Sequence, residues 1–248
     1  MVFYSFFIFF LGAITVPILF KPAAPPRSAD FTVAESASFS VLAPTNEAGT
    51  ETVVLTVSGD QDFILAVYEE SNDREMVISF FEEITGSHEL ASVILSNAAS
   101  FNIPAAMAFS LCYEESQYNP KAVNRTNRNQ TIDRGLFQLN SASFPDLAED
   151  DFFNPETNAY YGMAYLRFCL DTAGTEVSGL AMYNAGANRV RADGTPKTTL
   201  DYISRIMKRQ RQIDELFLIE YAKLPLELAL EHHSRVFSLN LLSPLGKS

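Results

Sequence analysis

The stretch from Phe109 to Asn140 reads FSLCYEESQYNPKAVNRTNRNQTIDRGLFQLN, and the interpretation of the chain begins with it. The apolar run that it continues begins at Pro104, a residue suited to the first turn of a helix. A helix with so continuous an apolar surface is predicted to be buried on nearly all sides. It ends in two acids, Glu114 and Glu115, and a carboxyl at the edge of an apolar core loses hydration, which raises its pKa. The pattern therefore predicts a general acid at the end of a buried helix.

The second half of the stretch is polar and then apolar again. Asn119 and Pro120 are predicted to break the helix, and residues 124–133 have the composition of turns or of a small hairpin. A short apolar segment follows from Gly135. We therefore expect a small β element to lie beside the acid.

Three motifs in this order resemble the signature of the soluble lytic transglycosylases, enzymes that cut the glycan strands of peptidoglycan. They are ESQYNP at 115–120, GLFQ at 135–138 and MYNAG at 182–186. Residues 131–141 also resemble the c-type lysozymes, which act on the same class of substrate. The resemblance covers about residues 103–206. It implies a mainly helical, lysozyme-like domain with a small β hairpin, which is preceded here by a short β-rich acidic segment.

The resemblance also implies roles for individual side chains. Glu115 would be the catalytic acid. Glu114 points about 100° away around the helix, so we expect it to lie at the surface or to support the site. Five more side chains are expected to bind the substrate or contact the acid: Ser116, Gln138, Tyr183, Asn184 and Tyr202.

Three of these side chains have an ordinary structural alternative. Ser116 could be a turn residue at the helix end. Gln138 lies among apolar residues and could be an amide bonded to the backbone. Tyr202, which matches the tyrosine that bonds the acid in relatives, could equally be a core aromatic.

Asp133 separates two enzyme hypotheses. It lies where c-type lysozymes carry a second carboxylate, so a hydrolase that uses Glu115 and Asp133 is one alternative. We favour a lytic transglycosylase with a 1,6-anhydro product, because residues 182–186 and 198–202 resemble that family alone. A non-catalytic glycan-binding protein on the same fold is the third hypothesis.

Composition and motifs argue against several other functional classes. The chain has 248 residues and a net charge of -12, and twelve acids stand against the single base Arg74 in residues 31–100. Such a chain is a poor partner for nucleic acid. The histidines show no metal-ligand spacing, and there is no Gly-x-Ser-x-Gly motif. We therefore predict no metal, no cofactor and no Ser-His-Asp hydrolase.

The segments before the motifs predict export. Residues 1–20 are almost entirely apolar, as in a secretory signal or a membrane anchor, and the proline-rich residues 21–30 are typical of a linker. We therefore expect the protein in the periplasm or cell envelope, with membrane association through this segment. In the acidic segment 31–71, residues 31–33 and 39–42 have strand patterns. Residues 52–57 and 63–68 are predicted to pair as a hairpin.

Helical periodicity follows. Helices are predicted from 72 to 86, from 89 to 100, from 158 to 170 and from 176 to 184, with a longer one capped by Thr198 and Thr199. The transglycosylase domain would span 72–222, and 223–248 would hold a last helix and tail. Cys112 and Cys169 could form a disulfide after export, although two core thiols are slightly favoured.

Overall fold

The computed structural model describes residues 37–44, 50–57, 62–70, 73–127, 130–192 and 194–241, with side chains described from 62 to 221. The predicted signal or anchor, the linker and the strand at 31–33 lie outside the described residues. Two compact units are present. The first includes Asp62–Gln212, and the second includes a β hairpin and the part of the last helix from Ile213 onward.

The first unit is mainly helical, as predicted. Its helices are α1 (Phe63–Glu69), α2 (Arg74–Thr85), α3 (His88–Ser100), α4 (Ala105–Ser116), α5 (Pro155–Ala173), α6 (Glu176–Ala185), α7 (Ala187–Arg191) and the beginning of α8 (Lys197–Leu241). Between α4 and α5, the strands β3 (Val123–Asn124), β4 (Asp133–Arg134) and β5 (Leu139–Asn140) form an antiparallel sheet in the order β3-β4-β5. The small β element is therefore a three-stranded sheet.

Helix α4 is at the centre of this unit. All eight residues from Ala105 to Cys112 are buried, so the prediction of all-round burial is confirmed. Helices α1 and α3 lie against α4, and the ring of Phe109 stacks on Phe81 of α2 with centroids 3.8 Å apart. The helix ends because Gln117 adopts a left-handed conformation with φ 55°. The last turn of α4 thus places Glu114 and Glu115 at the edge of the core.

The prediction for residues 63–68 is wrong. They form helix α1 and not a strand, because the Asp62 carboxylate accepts a hydrogen bond from the Leu65 amide at 3.0 Å and caps the helix. The hairpin forms instead between β1 (Ala37–Pro44) and β2 (Thr50–Val57), with Ala37 opposite Val57. The strands predicted at 39–42 and 52–57 are confirmed, but the partner predicted for 52–57 was incorrect.

The other helices follow the periodicity closely. Helices α2, α3, α5 and α6 confirm the four predicted segments. The predicted cap of α8 is wrong: the helix begins at Lys197, and the Pro196 carbonyl accepts from the amides of Thr199 and Leu200 at 3.0 and 3.2 Å. The last helix predicted near 224–230 is a part of α8, which continues to Leu241. Within the described ranges, no helix combines the length and apolar character needed to span a membrane.

Candidate active site

Glu115 lies in the last turn of α4 and is half-buried. The hydroxyl of Tyr202, on α8, donates a hydrogen bond to its Oε1, so the contact expected between these two residues is present. Burial raises the pKa of Glu115 to about 8. The hydrogen bond from Tyr202 opposes that shift, and the negative charges of Asp133 and Glu114 add to it. The Glu115 carboxyl is thus protonated at neutral pH, as a general acid requires.

Glu114 faces a different set of groups. Its side chain is only 10% exposed and pairs with Arg205 Nε at 2.7 Å and with Arg209 Nη1 at 2.8 Å. The guanidinium of Arg209 also lies over the Tyr113 ring, 3.7 Å from its centroid. Adjacent carboxyls of α4 therefore have separate environments, one beside a phenol and one between two cations.

Asp133 lies on β4 and is buried, and asparagine amides surround its carboxylate. Oδ1 accepts from Asn140 at 2.6 Å, and Oδ2 accepts from Asn127 at 2.9 Å and from Asn124 at 3.1 Å. Burial raises the pKa of Asp133, while these amides and the charge of Arg134 act in the opposite direction. The amides favour the ionised carboxylate, but burial is the larger effect and the net direction of the pKa shift is upward.

The loop between β4 and β5 is held from two sides at Phe137. Its amide donates to Asn158 Oδ1 at 2.8 Å, and its carbonyl accepts from the Tyr183 hydroxyl at 2.9 Å. The Asn158 amide in turn donates to the carbonyls of Arg134 at 3.0 Å and Phe152 at 2.8 Å. Helices α5 and α6 therefore fix the loop that follows Asp133.

The remaining predicted site residues make contacts within the protein. The Gln138 amide donates to the carbonyls of Ala122 at 3.2 Å and Gly135 at 2.9 Å, which is the backbone-bonded alternative. Ser116 donates to the Cys112 carbonyl at 3.2 Å, one turn back in α4. Asn184 Oδ1 accepts from Thr199 Oγ1 at 2.8 Å. Contacts of Ser116, Gln138, Tyr183 and Asn184 with a sugar remain predictions.

The two cysteines are free and buried, in agreement with the favoured alternative. The Cys112 thiol lies 3.7 Å from the Leu136 carbonyl, and burial raises its pKa well above the usual range. Such a thiol is a packing group and not a nucleophile. Among the residues that the structure describes, no three or more His, Cys, Asp or Glu side chains are arranged to hold a metal ion.

Sequence reasoning missed several supporting residues. They are Asn127 and Asn140 beside Asp133, Asn158 behind the loop, and Arg205 and Arg209 beside Glu114. The asparagines around Asp133 had a visible signal, because amides recur through the polar stretch at 124, 127 and 140. The only sequence signal for the two arginines was their spacing: they follow Tyr202 by three and seven residues, which places all three side chains on one face of a helix.

The comparison with protein families covers most of this site. Residues 92–205 match the family model described as the transglycosylase SLT domain. The matched stretch contains Glu115, Asp133, Tyr183 and Tyr202, together with helices α4, α5 and α6. This match confirms the family resemblance and the lysozyme-like, mainly helical fold. Residues 92–205 of this chain thus match a transglycosylase SLT domain, which supports a transglycosylase-like or lysozyme-like, glycan-active family.

Proposed function

We propose that this protein is a peptidoglycan lytic transglycosylase that cleaves the β-1,4 bond from N-acetylmuramic acid to N-acetylglucosamine. The observation that carries the proposal is the pairing of Glu115 with Tyr202 at the end of the buried helix α4, inside the SLT domain. A carboxyl with a pKa of about 8 holds its proton at neutral pH and can release it to a leaving group.

In the first step Glu115 donates its proton to the glycosidic oxygen while the bond to the muramic acid C1 breaks. Tyr202 donates to Oε1, so the proton of the neutral acid resides on Oε2. The acetamido group of the sugar stabilises the oxocarbenium-like centre. The leaving N-acetylglucosamine departs with a 4-hydroxyl.

In the second step the Glu115 carboxylate removes the proton of the muramic acid C6 hydroxyl. The C6 oxygen then attacks C1 and closes a 1,6-anhydro ring. Glu115 regains its proton, and no water is consumed. One carboxyl therefore acts first as acid and then as base, and its pKa near the working pH suits both steps.

Asp133 is assigned an electrostatic role in this scheme. Its carboxylate accepts from three asparagine amides, which hold it in place and favour its charge. A fixed anion stabilises positive charge that develops at C1. In the alternative, a hydrolase, Asp133 would be the second carboxylate; its charge adds to the raised pKa of Glu115 in either scheme.

Product analysis tests the proposal against the hydrolase. Purified sacculi are digested with the wild-type chain, and the muropeptides are analysed by mass spectrometry. Anhydro products without reducing ends are expected. Reducing-end products would assign the protein to the lysozyme-like hydrolases instead.

A turbidity assay on sacculi separates both enzymes from a non-catalytic glycan-binding protein. The expected result is clearing by the wild-type chain and none by Glu115→Gln. Pelleting of the protein with sacculi without clearing would support the binding protein.

The proposed substrate lies outside the cytoplasmic membrane, so we place the protein in the periplasm or cell envelope. Protease added to intact spheroplasts is expected to digest the domain, or the domain is found released in the medium. Protection until the membrane is lysed would contradict this localisation.

A further inference from the structure

Helix α8 meets the end of α4 through side chains that share one of its faces. Tyr202, Arg205 and Arg209 are three and seven residues apart, so they project in nearly the same direction. The first donates to Glu115, and the two arginines both pair with Glu114. Neighbouring carboxyls of one helix are therefore bound by neighbouring turns of another.

Tyr202 lies between two contacts that fix the beginning of α8. Upstream, Thr199 donates to Asn184 on α6. Downstream, Arg205 pairs with Glu114 on α4. Each contact is three residues from Tyr202, or about 4.5 Å along the helix axis. The two contacts thus flank the Tyr202 side chain on either side along α8.

The downstream contact is well suited to hold a helix in one orientation. Glu114 is 10% exposed, while Arg209 is 28% and Arg205 is 43% exposed. A carboxylate so enclosed is costly to leave unpaired, and pairs between arginine and carboxylate are directional. The Tyr113 ring beneath Arg209 further restricts the guanidinium. We call Glu114, Arg205 and Arg209 the Glu114 cluster.

We propose that Glu114 is a positioning residue, which holds Arg205 and Arg209 so that Tyr202 of α8 meets the carboxyl of Glu115. The inference rests on the proposed function, which makes Glu115 the acid. Loss of the Glu114 cluster would let α8 shift and would weaken the hydrogen bond from Tyr202. Because that bond orients the acid and does not hold the sugar, kcat should fall while KM stays unchanged.

A double-mutant cycle in the full chain tests this coupling. Glu114→Gln and Tyr202→Phe are each expected to lower kcat on sacculi about tenfold. The combined variant should be no worse than either single variant, because both changes remove the same hydrogen bond. Asp171→Asn is the matched control: it removes an exposed pair with Arg167 on α5 and should leave kcat unchanged. Losses that multiply in the combined variant, or a wild-type kcat for Glu114→Gln, would overturn the proposal.

A crystal structure of Glu114→Gln gives a test that does not need activity. The Tyr202 hydroxyl is expected beyond hydrogen-bond distance of the Glu115 carboxyl. If this bond persists in the variant, the positioning role is refuted, whether or not the wild-type chain cleaves glycan. Absence of cleavage by the wild-type chain, in contrast, would refute the proposed function alone.

A second variant is used if Glu114→Gln fails to fold. The double variant Arg205→Gln with Arg209→Gln removes the same contacts from the more exposed side. Loss of the bond between Tyr202 and Glu115 is again expected, and its persistence would refute the positioning role.

Discussion

Tyr202 donates a hydrogen bond to Oε1 of Glu115 and so connects α8 to the end of α4 across 87 positions of the sequence. The bond favours the ionised carboxylate, whereas burial favours the neutral acid, and burial is the larger effect. The resulting pKa of about 8 leaves the proton on Glu115 at neutral pH and still allows its release.

The first prediction concerns Glu115→Gln. The amide keeps the shape of the side chain but cannot donate a proton, so wall cleavage should fall by about 100-fold to 10,000-fold. Clearing of sacculi at matched thermal stability measures the loss. The matched variant Glu114→Gln alters the neighbouring carboxyl and should cost far less. Clearing by Glu115→Gln at the wild-type rate would remove Glu115 from the mechanism.

The second prediction is the pH dependence of kcat/KM. The protonated acid disappears as the pH rises through about 8, so activity should decline on the alkaline side near that pH. Tyr202→Phe removes a hydrogen bond that lowers the pKa of Glu115, so this decline should move to higher pH while kcat falls. The measurement is a pH-rate profile of both proteins on soluble glycan strands. A decline that stays in place or moves to lower pH would contradict this role of Tyr202.

The third prediction follows from proton linkage. Between about pH 4.5, the ordinary value, and pH 8, folded Glu115 keeps a proton that the unfolded chain has released. The free energy of unfolding therefore decreases as the pH rises through this window. Glu115→Gln lacks this titrating group and so does not lose that stability. The Tm of the variant minus the Tm of the wild type should therefore increase from pH 5 to pH 8. A Tm difference that is constant with pH would show that the pKa of Glu115 is ordinary.

Much of this site could be predicted because its signals are local. The continuous apolar run before Glu115 indicated a buried helix, and α4 is buried over Ala105 to Cys112. Helix periodicity likewise identified α2, α3, α5 and α6. Such signals depend on neighbouring residues, so no knowledge of the tertiary structure is needed.

The errors arose where a local pattern fits two structures. The run from Phe63 to Tyr68 is short and apolar, which suits a strand or a buried helix, and the cap by Asp62 decides for the helix. Thr199 resembled a helix cap, but its hydroxyl bonds Asn184 on another helix. The pairing of Glu114 with Arg205 and Arg209 joins distant segments and has no local signal.

The fourth prediction compares two glycines with nearly the same backbone conformation. Gly135 has φ +79° and Gly86 has φ +73°, so alanine is strained at both. A Cβ at Gly86 meets nothing within 4 Å, whereas one at Gly135 would lie 2.1 Å from the Phe152 carbonyl oxygen and 2.2 Å from Asn158 Nδ2. Gly86→Ala should cost about 1 kcal/mol of unfolding free energy, and Gly135→Ala about 3 kcal/mol or more.

Denaturant unfolding of the two variants measures the difference. Because a Cβ at Gly135 would displace Asn158 as well as the Phe152 carbonyl, Gly135→Ala should also reduce glycan cleavage, while Gly86→Ala should not. Equal losses of stability would mean that the loop after Asp133 adapts without strain.

The last prediction concerns Asp133, where the two enzyme hypotheses differ. If Asp133 were the nucleophile, Asp133→Asn would be about as damaging as loss of the acid, and wild-type products would carry reducing ends.

If Asp133 is a fixed anion, Asp133→Asn should keep substantial activity, because Glu115 still transfers both protons and C6 of the sugar is the attacking group. Wild-type muropeptides should then be about 18 Da lighter than hydrolytic products, the mass of one water not added. The amides of Asn124 and Asn127 reach the same oxygen of Asp133 and can still donate to the side-chain oxygen of the variant, whereas the bond from Asn140 is lost, so the folding of the variant is checked by its Tm. An inactive, folded Asp133→Asn together with reducing-end products from the wild-type chain would establish the hydrolase.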